Sequence, residues 1–296
     1  MIKKSAIAEQ VCLTGHILSL VFGLAGILLV LPHPELITNF GRIGENAIEM
    51  SMAGGGVVYM ILGAAAMFLY LKRNLGINSA IAFVLPSIVI SLGAELLGTS
   101  TGFPFGDYSY LSGLGYKIAG LVPFTIPLSW FYLGCAAYLL ARVGLQVDQK
   151  PTLLRHGIAI FLGALLLTSW DFILDPAMSQ TSLPFWYWEQ PGAFFGMPYQ
   201  NFFGWMGTGA LFMSVAAVMW QKLSVKLNQI SVTLPLIIYL SNFIFAAGLS
   251  LSAGFIIPII LGLTLGVFPA IFLWLQTNRL QVDNPQVDDE SLAIGN

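Results

Sequence analysis

Two aspartates, Asp171 and Asp175, lie four residues apart at the end of an apolar run, shortly before the sequence Phe-Trp-Tyr-Trp. A spacing of four puts both carboxyl groups on one face of a helix, about one turn apart. At the C-terminal end of a helix in apolar surroundings, the helix dipole, the low dielectric and the second carboxylate all favour the protonated acid. Two carboxyl groups that share one proton can supply an acid and a base, so the expected chemistry is general acid–base catalysis.

Asp175 has a second interpretation. Asp175-Pro176 is also a typical helix start, with the aspartate as N-cap and the proline at the first helical position. Asp171 has no such explanation, because it lies inside the apolar run beside Trp170, where an ionisable residue indicates function. The sequence therefore predicts a catalytic role for Asp171 and leaves a catalytic or a capping role open for Asp175.

A third carboxyl group and many aromatic residues accompany this pair. Glu95 ends another apolar run, in ELLGTSTGFPFGDYSY, where it either serves the site or bonds to a serine or threonine of a neighbouring helix. The aromatic residues concentrate in segments 99–117 and 175–200. An interfacial aromatic belt explains some of them. Their excess on one side of the membrane favours a pocket, since aromatic faces stabilise cations. The candidate substrate-binding residues are Phe103, Phe105, Tyr108, Trp170, Trp186, Trp188, Asn201 and Trp205.

The composition defines the elements that must position these residues. The chain has 296 residues, of which 57% are hydrophobic and 9% charged, with a mean hydropathy of +0.81. Soluble domains carry roughly a quarter charged residues, so an integral membrane protein is expected. Because a bilayer core takes about 20 apolar residues as helix, we expect one all-α transmembrane domain over residues 1–280, followed by an acidic, disordered cytoplasmic tail at 281–296. The predicted spans are 11–31, 48–71, 78–98, 118–141, 156–174, 201–220, 232–250 and 254–275.

The basic residues orient these eight spans. With alternating crossings, Arg42 and Lys117 fall on one side, and the other ten basic residues fall on the opposite side. Basic residues accumulate on the cytoplasmic side of membrane proteins, so both termini are predicted to be cytoplasmic. The carboxyl groups and the aromatic segments then face the other side. The ten residues are Lys3, Lys4, Lys72, Arg73, Arg142, Lys150, Arg155, Lys222, Lys226 and Arg279.

The sequence lacks the residues that several classes of function require. The three histidines are scattered, which excludes a membrane di-iron oxygenase, and no nucleotide-binding glycine motif occurs. We expect no metal, no cofactor and no nucleic-acid partner. An Asp-x-x-x-Asp metal site, as in intramembrane prenyltransferases, would need more basic residues than Arg42 and Lys117 for the phosphates. A proton-coupled small-molecule transporter stays possible, although no internal repeat or broken-helix pair supports it. Acid-catalysed addition of water to an alkene that enters from the lipid fits best.

At these residues the chain resembles the CruF-type carotenoid 1,2-hydratases, also called γ-carotene 1′-hydroxylases or bisanhydrobacterioruberin hydratases. The stretches that carry the resemblance are ELLGTSTGFPFGDYSY, LVPFTIPLSWF, SWDFILDPAMS and PYQNFFGW. The resemblance implies hydration of the ψ-end double bond of a γ-carotene- or lycopene-type substrate in a cell or thylakoid membrane. In cyanobacterial relatives this step precedes glycosylation toward myxoxanthophyll, which implies a downstream carotenoid glycosyltransferase as a partner.

The resemblance places the motif aspartates of the family on Asp171 and Asp175, and its motif glutamate on Glu95. The residue chemistry above suggests their roles. As a hypothesis, Asp171 protonates C-2′ of the carotenoid, and Asp175 or Glu95 takes a proton from the attacking water. The aromatic residues that would shelter the intermediate cation are Trp170, Trp186 and Trp188.

Overall fold

A computed structural model of the chain describes residues 2–33, 35, 41–181, 183–227 and 230–283. These residues contain eight helical segments that are long and apolar enough to cross a membrane, which confirms the predicted all-α polytopic fold. A π-helical turn, Gly26–Val30, prolongs the first helix, and another, Leu263–Val267, joins the last two helices into one span. The helices are α1 (Ile2–Ala25), α2 (Gly41–Leu75), α3 (Ile77–Thr101), α4 (Thr125–Gly144), α5 (Leu153–Ser179), α6 (Tyr199–Lys222), α7 (Thr233–Ser252), α8 (Ile256–Gly262) and α9 (Phe268–Asp283).

Helix α4 forms the centre of the bundle. Every residue of α4 except Leu128 is buried, and the helix packs against α2, α3, α5, α7 and α9. Small residues permit this close approach. A Cβ atom at Gly134, for example, would lie 2.5 Å from the ring of Phe212 on α6. The central position of α4 brings its first turns against the ends of the neighbouring helices.

One end of α4 carries a buried charge that is fully paired. The Arg142 guanidinium donates to Asp148 at 2.6 Å and 3.2 Å, and lies against the rings of Tyr138 and Trp220. A buried cation needs such a partner, because leaving it unpaired in an apolar interior is costly. This pair accounts for the charge at one end of α4, whereas the candidate site lies at the other end.

Two short antiparallel sheets connect the helices at the end that carries the candidate site. Strand β1 (Tyr108–Tyr110) pairs with β4 (Trp186–Trp188), with Tyr108 opposite Trp188 and Tyr110 opposite Trp186. Strands β2 (Lys117–Ile118) and β3 (Val122–Pro123) form the second sheet. Since side chains alternate along a strand, the first and third residues of β1 and of β4 share one face. That face closes over the ends of α3 to α6.

Several predicted span boundaries differ from the helices, and two of the differences bear on the candidate site. The fourth span was expected to begin at residue 118, but the helix begins at Thr125, because Ala119 and Gly120 have positive φ angles and turn the chain between β2 and β3. The fifth span was expected to end at residue 174, but α5 continues through Pro176 to Ser179. Asp175 therefore lies inside α5, and its alternative role as an N-cap is excluded.

The predicted tail is tested only at its start. Residues 281–283 belong to α9 rather than to a disordered segment, and residues 284–296 lie outside the described residues. The cytoplasmic orientation of the two termini stays a prediction.

Candidate functional site

A cavity of about 60 Å³ lies under the β1–β4 sheet, among the ends of α3 to α6 and beside the middle of α2. Since one water molecule needs roughly 10–15 Å³, the cavity has room for several. Ten of the eleven side chains that the sequence singles out line it; Phe103, which is 67% exposed, does not. The ten are Glu95, Phe105, Tyr108, Trp170, Asp171, Asp175, Trp186, Trp188, Asn201 and Trp205. Helices that are distant in sequence thus contribute the carboxyl groups and aromatic rings to the wall of one cavity.

Asp171 is buried in the last third of α5. Its Oδ2 atom accepts a hydrogen bond of 2.7 Å from the side-chain amide of Asn201, which stands in the first turn of α6. The same amide lies 2.7 Å from the sulfur of Met197, so the orientation of Asn201 is fixed from two sides. This contact holds one oxygen of the Asp171 carboxyl group in place at the cavity wall.

Asp175 lies one helical turn further along α5 and has different partners. Its Oδ1 atom accepts hydrogen bonds from the indole N–H groups of Trp186 and Trp188, the latter at 3.3 Å. Its Oδ2 atom is buried and has no hydrogen-bond partner among the described residues. A buried polar atom without a partner is unusual in a native protein and calls for an explanation. Strand β4 therefore anchors one oxygen of Asp175 and leaves the other available to a ligand.

Glu95, near the C-terminal end of α3, is hydrogen-bonded at both oxygens. Oε1 accepts from the indole of Trp130 at 2.8 Å, whereas Oε2 accepts from the hydroxyls of Tyr110, at 2.8 Å, and Tyr108. Burial, together with the nearby Glu95, raises the pKa of Tyr108 and of Tyr110 well above its usual value, so both phenols stay protonated and donate. Glu95 thereby ties strand β1 to helices α3 and α4.

The aromatic walls form a connected set. Trp130 stacks on Trp205 with ring centroids 4.0 Å apart, and Trp205 meets Trp170 edge to face at 6.0 Å. Phe105 enters the cavity through a gap between α3 and α6 that exists because both helices have a glycine there. A Cβ atom would lie 2.7 Å from the Phe105 ring at Gly98 and 2.4 Å from it at Gly204.

The charges in the cavity are all potential anions. No lysine or arginine is among the residues that line it. Over the described part of the chain, no three or more His, Cys, Asp or Glu side chains gather closely enough to hold a metal ion.

The sequence interpretation missed several residues that line the cavity. Trp130 lies in the quoted stretch LVPFTIPLSWF but is not among the candidate site residues. Tyr110 belongs to the aromatic cluster of segment 99–117 but is not a candidate site residue either, although strand alternation places it on the same face as Tyr108. Both donate to Glu95. The lining residues Tyr59 and Met60 of α2 carried no signal in the sequence, since each reads as an ordinary apolar-face residue of a span.

The fold and the cavity define a multi-pass α-helical membrane protein with a buried site of carboxyl and aromatic groups near one end of its bundle. Residues 55–269 match the family described as "Carotenoid biosynthesis protein", and the chain belongs to this family. This confirms the family resemblance noted from the sequence motifs.

A curated relative carries the name bisanhydrobacterioruberin hydratase and comes from Haloarcula japonica. It is 36% identical to this chain over 121 residues. The alignment covers 41% of this chain and 39% of the relative, so the chain spans well under half of the length of that protein. No solved structure matches the chain.

Proposed function

We propose that this protein is a carotenoid hydratase, which adds water across the terminal ψ-end double bond of a γ-carotene- or lycopene-type carotenoid to give a 1′-hydroxy product. One observation carries the proposal: the unpaired Oδ2 atom of Asp175 lies one helical turn from Asp171 in a cavity walled by aromatic rings. Membership of the carotenoid biosynthesis family and the similarity to a hydratase support the same chemistry.

The first step is protonation of the alkene. Asp171 donates its proton to C-2′, the π bond breaks, a C–H bond forms, and the positive charge develops at the tertiary carbon C-1′. Tertiary cations are the more stable outcome, so this direction of addition places oxygen at C-1′. Asn201, which already donates to Asp171 Oδ2, stabilises the carboxylate that remains.

The second step is capture of the cation by water. A water molecule that donates one O–H to Asp175 Oδ2 attacks C-1′, a C–O bond forms, that proton passes to Asp175, and the other proton stays on the product hydroxyl. Transfer of the proton from Asp175 to Asp171 restores the starting state, so each turnover consumes one water molecule. Glu95 is less suited to be the base, because its two oxygens already accept three hydrogen bonds.

The aromatic residues stabilise the cation between the two steps. The rings of Trp170 and Trp205 lie against each other beside Asp171, and a cation over an aromatic face gains about 0.5–2 kcal/mol, most where water is excluded.

The test is expression in a host that accumulates lycopene or γ-carotene, with pigments analysed by mass spectrometry. The protein should produce hydroxylated carotenoid, and Asp171→Asn should lower the yield by roughly 10²–10⁴-fold, the usual contribution of a general acid. Gly207→Ala, whose added methyl group on α6 meets no atom within 4 Å and which does not line the cavity, serves as the control and should retain the product.

Oxygen labelling decides the reaction class in the same host. Label from heavy-oxygen water should appear in the hydroxyl group. Label from dioxygen, or normal product from Asp171→Asn, would overturn the proposal.

A further inference from the structure

A second buried polar network contacts two residues of the cavity wall, and it joins five helices. Its centre is Asn242 of α7, whose side-chain oxygen accepts from the hydroxyl of Tyr132 at 3.0 Å and whose amide nitrogen lies 2.9 Å from Nε2 of His16. Nδ1 of His16 lies 2.7 Å from the backbone carbonyl of Tyr59, and the indole N–H of Trp170 donates to the backbone carbonyl of Asn242 at 3.3 Å. Tyr59 and Trp170 both line the cavity.

The direction of each hydrogen bond in this network follows from chemistry. The amide group of Asn242 that faces His16 also lies 2.8 Å from the carbonyl of Ile238, which can only accept, so that group is the NH₂. Nε2 of His16 must then accept. Because the carbonyl of Tyr59 also only accepts, Nδ1 must carry the proton. His16 is thus neutral and held in one tautomer, and both of its nitrogens are paired.

The packing around His16 is equally specific. The side chain is completely buried in α1, and Gly63 of α2 makes room for it, since a Cβ atom there would lie 2.9 Å from the imidazole ring. The region that matches the family begins at residue 55, so α1 lies outside it. The network nevertheless connects α1 to two walls of the cavity.

We propose that Asn242 and His16 are positioning residues, which hold Trp170 and Tyr59 at the angles that the reacting carotenoid end requires; the inference rests on the proposed hydratase function. The side chain of Asn242 fixes α7 against α1 and α4, and the backbone carbonyl of the same residue accepts from the indole of Trp170, whose neighbour Asp171 donates the proton. His16 acts through the backbone of Tyr59. Neither residue touches the substrate. Ring placement matters because a displacement of about 1 Å at a reacting centre can lower a rate by roughly a hundredfold.

The test compares two α7 variants in purified, membrane-reconstituted protein. Asn242→Ala should lower the rate at saturating carotenoid by roughly tenfold or more, because the backbone carbonyl that accepts from Trp170 loses the side-chain bonds to Tyr132 and His16 that hold this part of α7 in place. Ser250→Ala is the matched control: its hydroxyl also links α7 to α5, through the carbonyl of Ile173 at 2.7 Å, but Ile173 does not line the cavity. A purely structural network predicts equal losses of activity for equal losses of thermal stability, and that result would overturn the inference.

A double-mutant cycle tests the route through Trp170. If the side chain of Asn242 acts by fixing the backbone carbonyl that accepts from that indole, then Asn242→Ala should change the rate by less than about threefold in a Trp170→Phe background, since coupled residues are non-additive. Equal effects in both backgrounds would contradict the proposed route. Gly63→Ala, which pushes on the His16 ring without removing a polar group, should slow the reaction in the same way as His16→Ala.

A spectroscopic measurement separates this inference from the proposed function. The near-ultraviolet circular dichroism of the wild type minus that of Trp170→Phe reports the fixed environment of this indole. The same difference should lose amplitude in the Asn242→Ala background and keep it in the Ser250→Ala background. Absence of hydroxylated product from the wild type would overturn the hydratase proposal alone, whereas an unchanged difference spectrum would overturn the positioning role alone.

Discussion

Trp130 and Trp205 stack across the interface of α4 and α6, with ring planes 20° from parallel and centroids 4.0 Å apart. Trp130 also donates to Glu95, whereas Trp205 meets Trp170 beside Asp171. The stacked pair therefore joins the part of the cavity that holds Glu95 to the part that holds the two aspartates. Its two members differ in their polar contacts, and this difference makes them separable by mutation.

Trp130→Phe should destabilise the protein more than Trp205→Phe. Both changes weaken a stacking contact worth about 0.5–1.5 kcal/mol. Trp130→Phe also removes a hydrogen bond to a carboxyl group, worth about 1.5–3 kcal/mol, whereas Trp205 donates to no described residue. Thermal unfolding in detergent measures the difference, and a lower midpoint for Trp205→Phe would contradict it.

Asp175→Asn should separate the two proposed steps. The amide keeps an oxygen for the two indole donors but cannot take a proton, so water addition should slow by roughly 10²–10⁴-fold. Asp171 can still protonate the alkene reversibly. In heavy water, the variant should therefore place deuterium at C-2′ without forming hydroxylated product, as mass spectrometry would detect. Asp171→Asn should show neither deuterium nor hydroxyl, and deuterium uptake by that variant would exclude Asp171 as the acid.

Glu95→Ala should destabilise the loop that contains β1. Removal of the carboxyl group leaves the indole N–H of Trp130 and the hydroxyls of Tyr108 and Tyr110 without an acceptor, at about 1–3 kcal/mol for each buried donor. Glu95→Gln is the matched control. Its amide oxygen can accept from Trp130, and the phenol hydroxyls can rotate to accept from its nitrogen, so the loss should be smaller. Limited proteolysis of residues 102–124 and the unfolding midpoint would test this, and equal losses in the two variants would contradict it.

Gly204→Ala should disturb the cavity through Phe105. The new methyl group would lie 2.4 Å from the ring and 2.9 Å from the carbonyl of Pro104, so the ring must move, at a cost of about 1–3 kcal/mol for overpacking. Gly207→Ala, on the same helix, meets no atom within 4 Å and should leave stability unchanged or slightly higher. Activity should fall only in Gly204→Ala. Equal activity in the two variants would show that the position of Phe105 is unimportant.

The sequence by itself determined the class of the protein and the number of its spans, because hydropathy and run length are local properties of the chain. It also determined that Asp171 and Asp175 share one helix face, since a spacing of four needs no tertiary information. Alternation of the spans then predicted that segments 99–117 and 175–200 lie on one side, and in the structure both contribute to the wall of the same cavity.

Only the tertiary structure decided how the three carboxyl groups differ. Glu95 is saturated by donors 13, 15 and 35 residues away, whereas Asp175 keeps one oxygen free because β4 supplies donors to the other alone. The tertiary structure also brought His16 into hydrogen-bond contact with Asn242, which lies 226 residues away in the sequence. A hydrogen bond depends on distances of a few tenths of an ångström and on donor angle. Those quantities are set by how helices remote in sequence pack, and no local pattern encodes them.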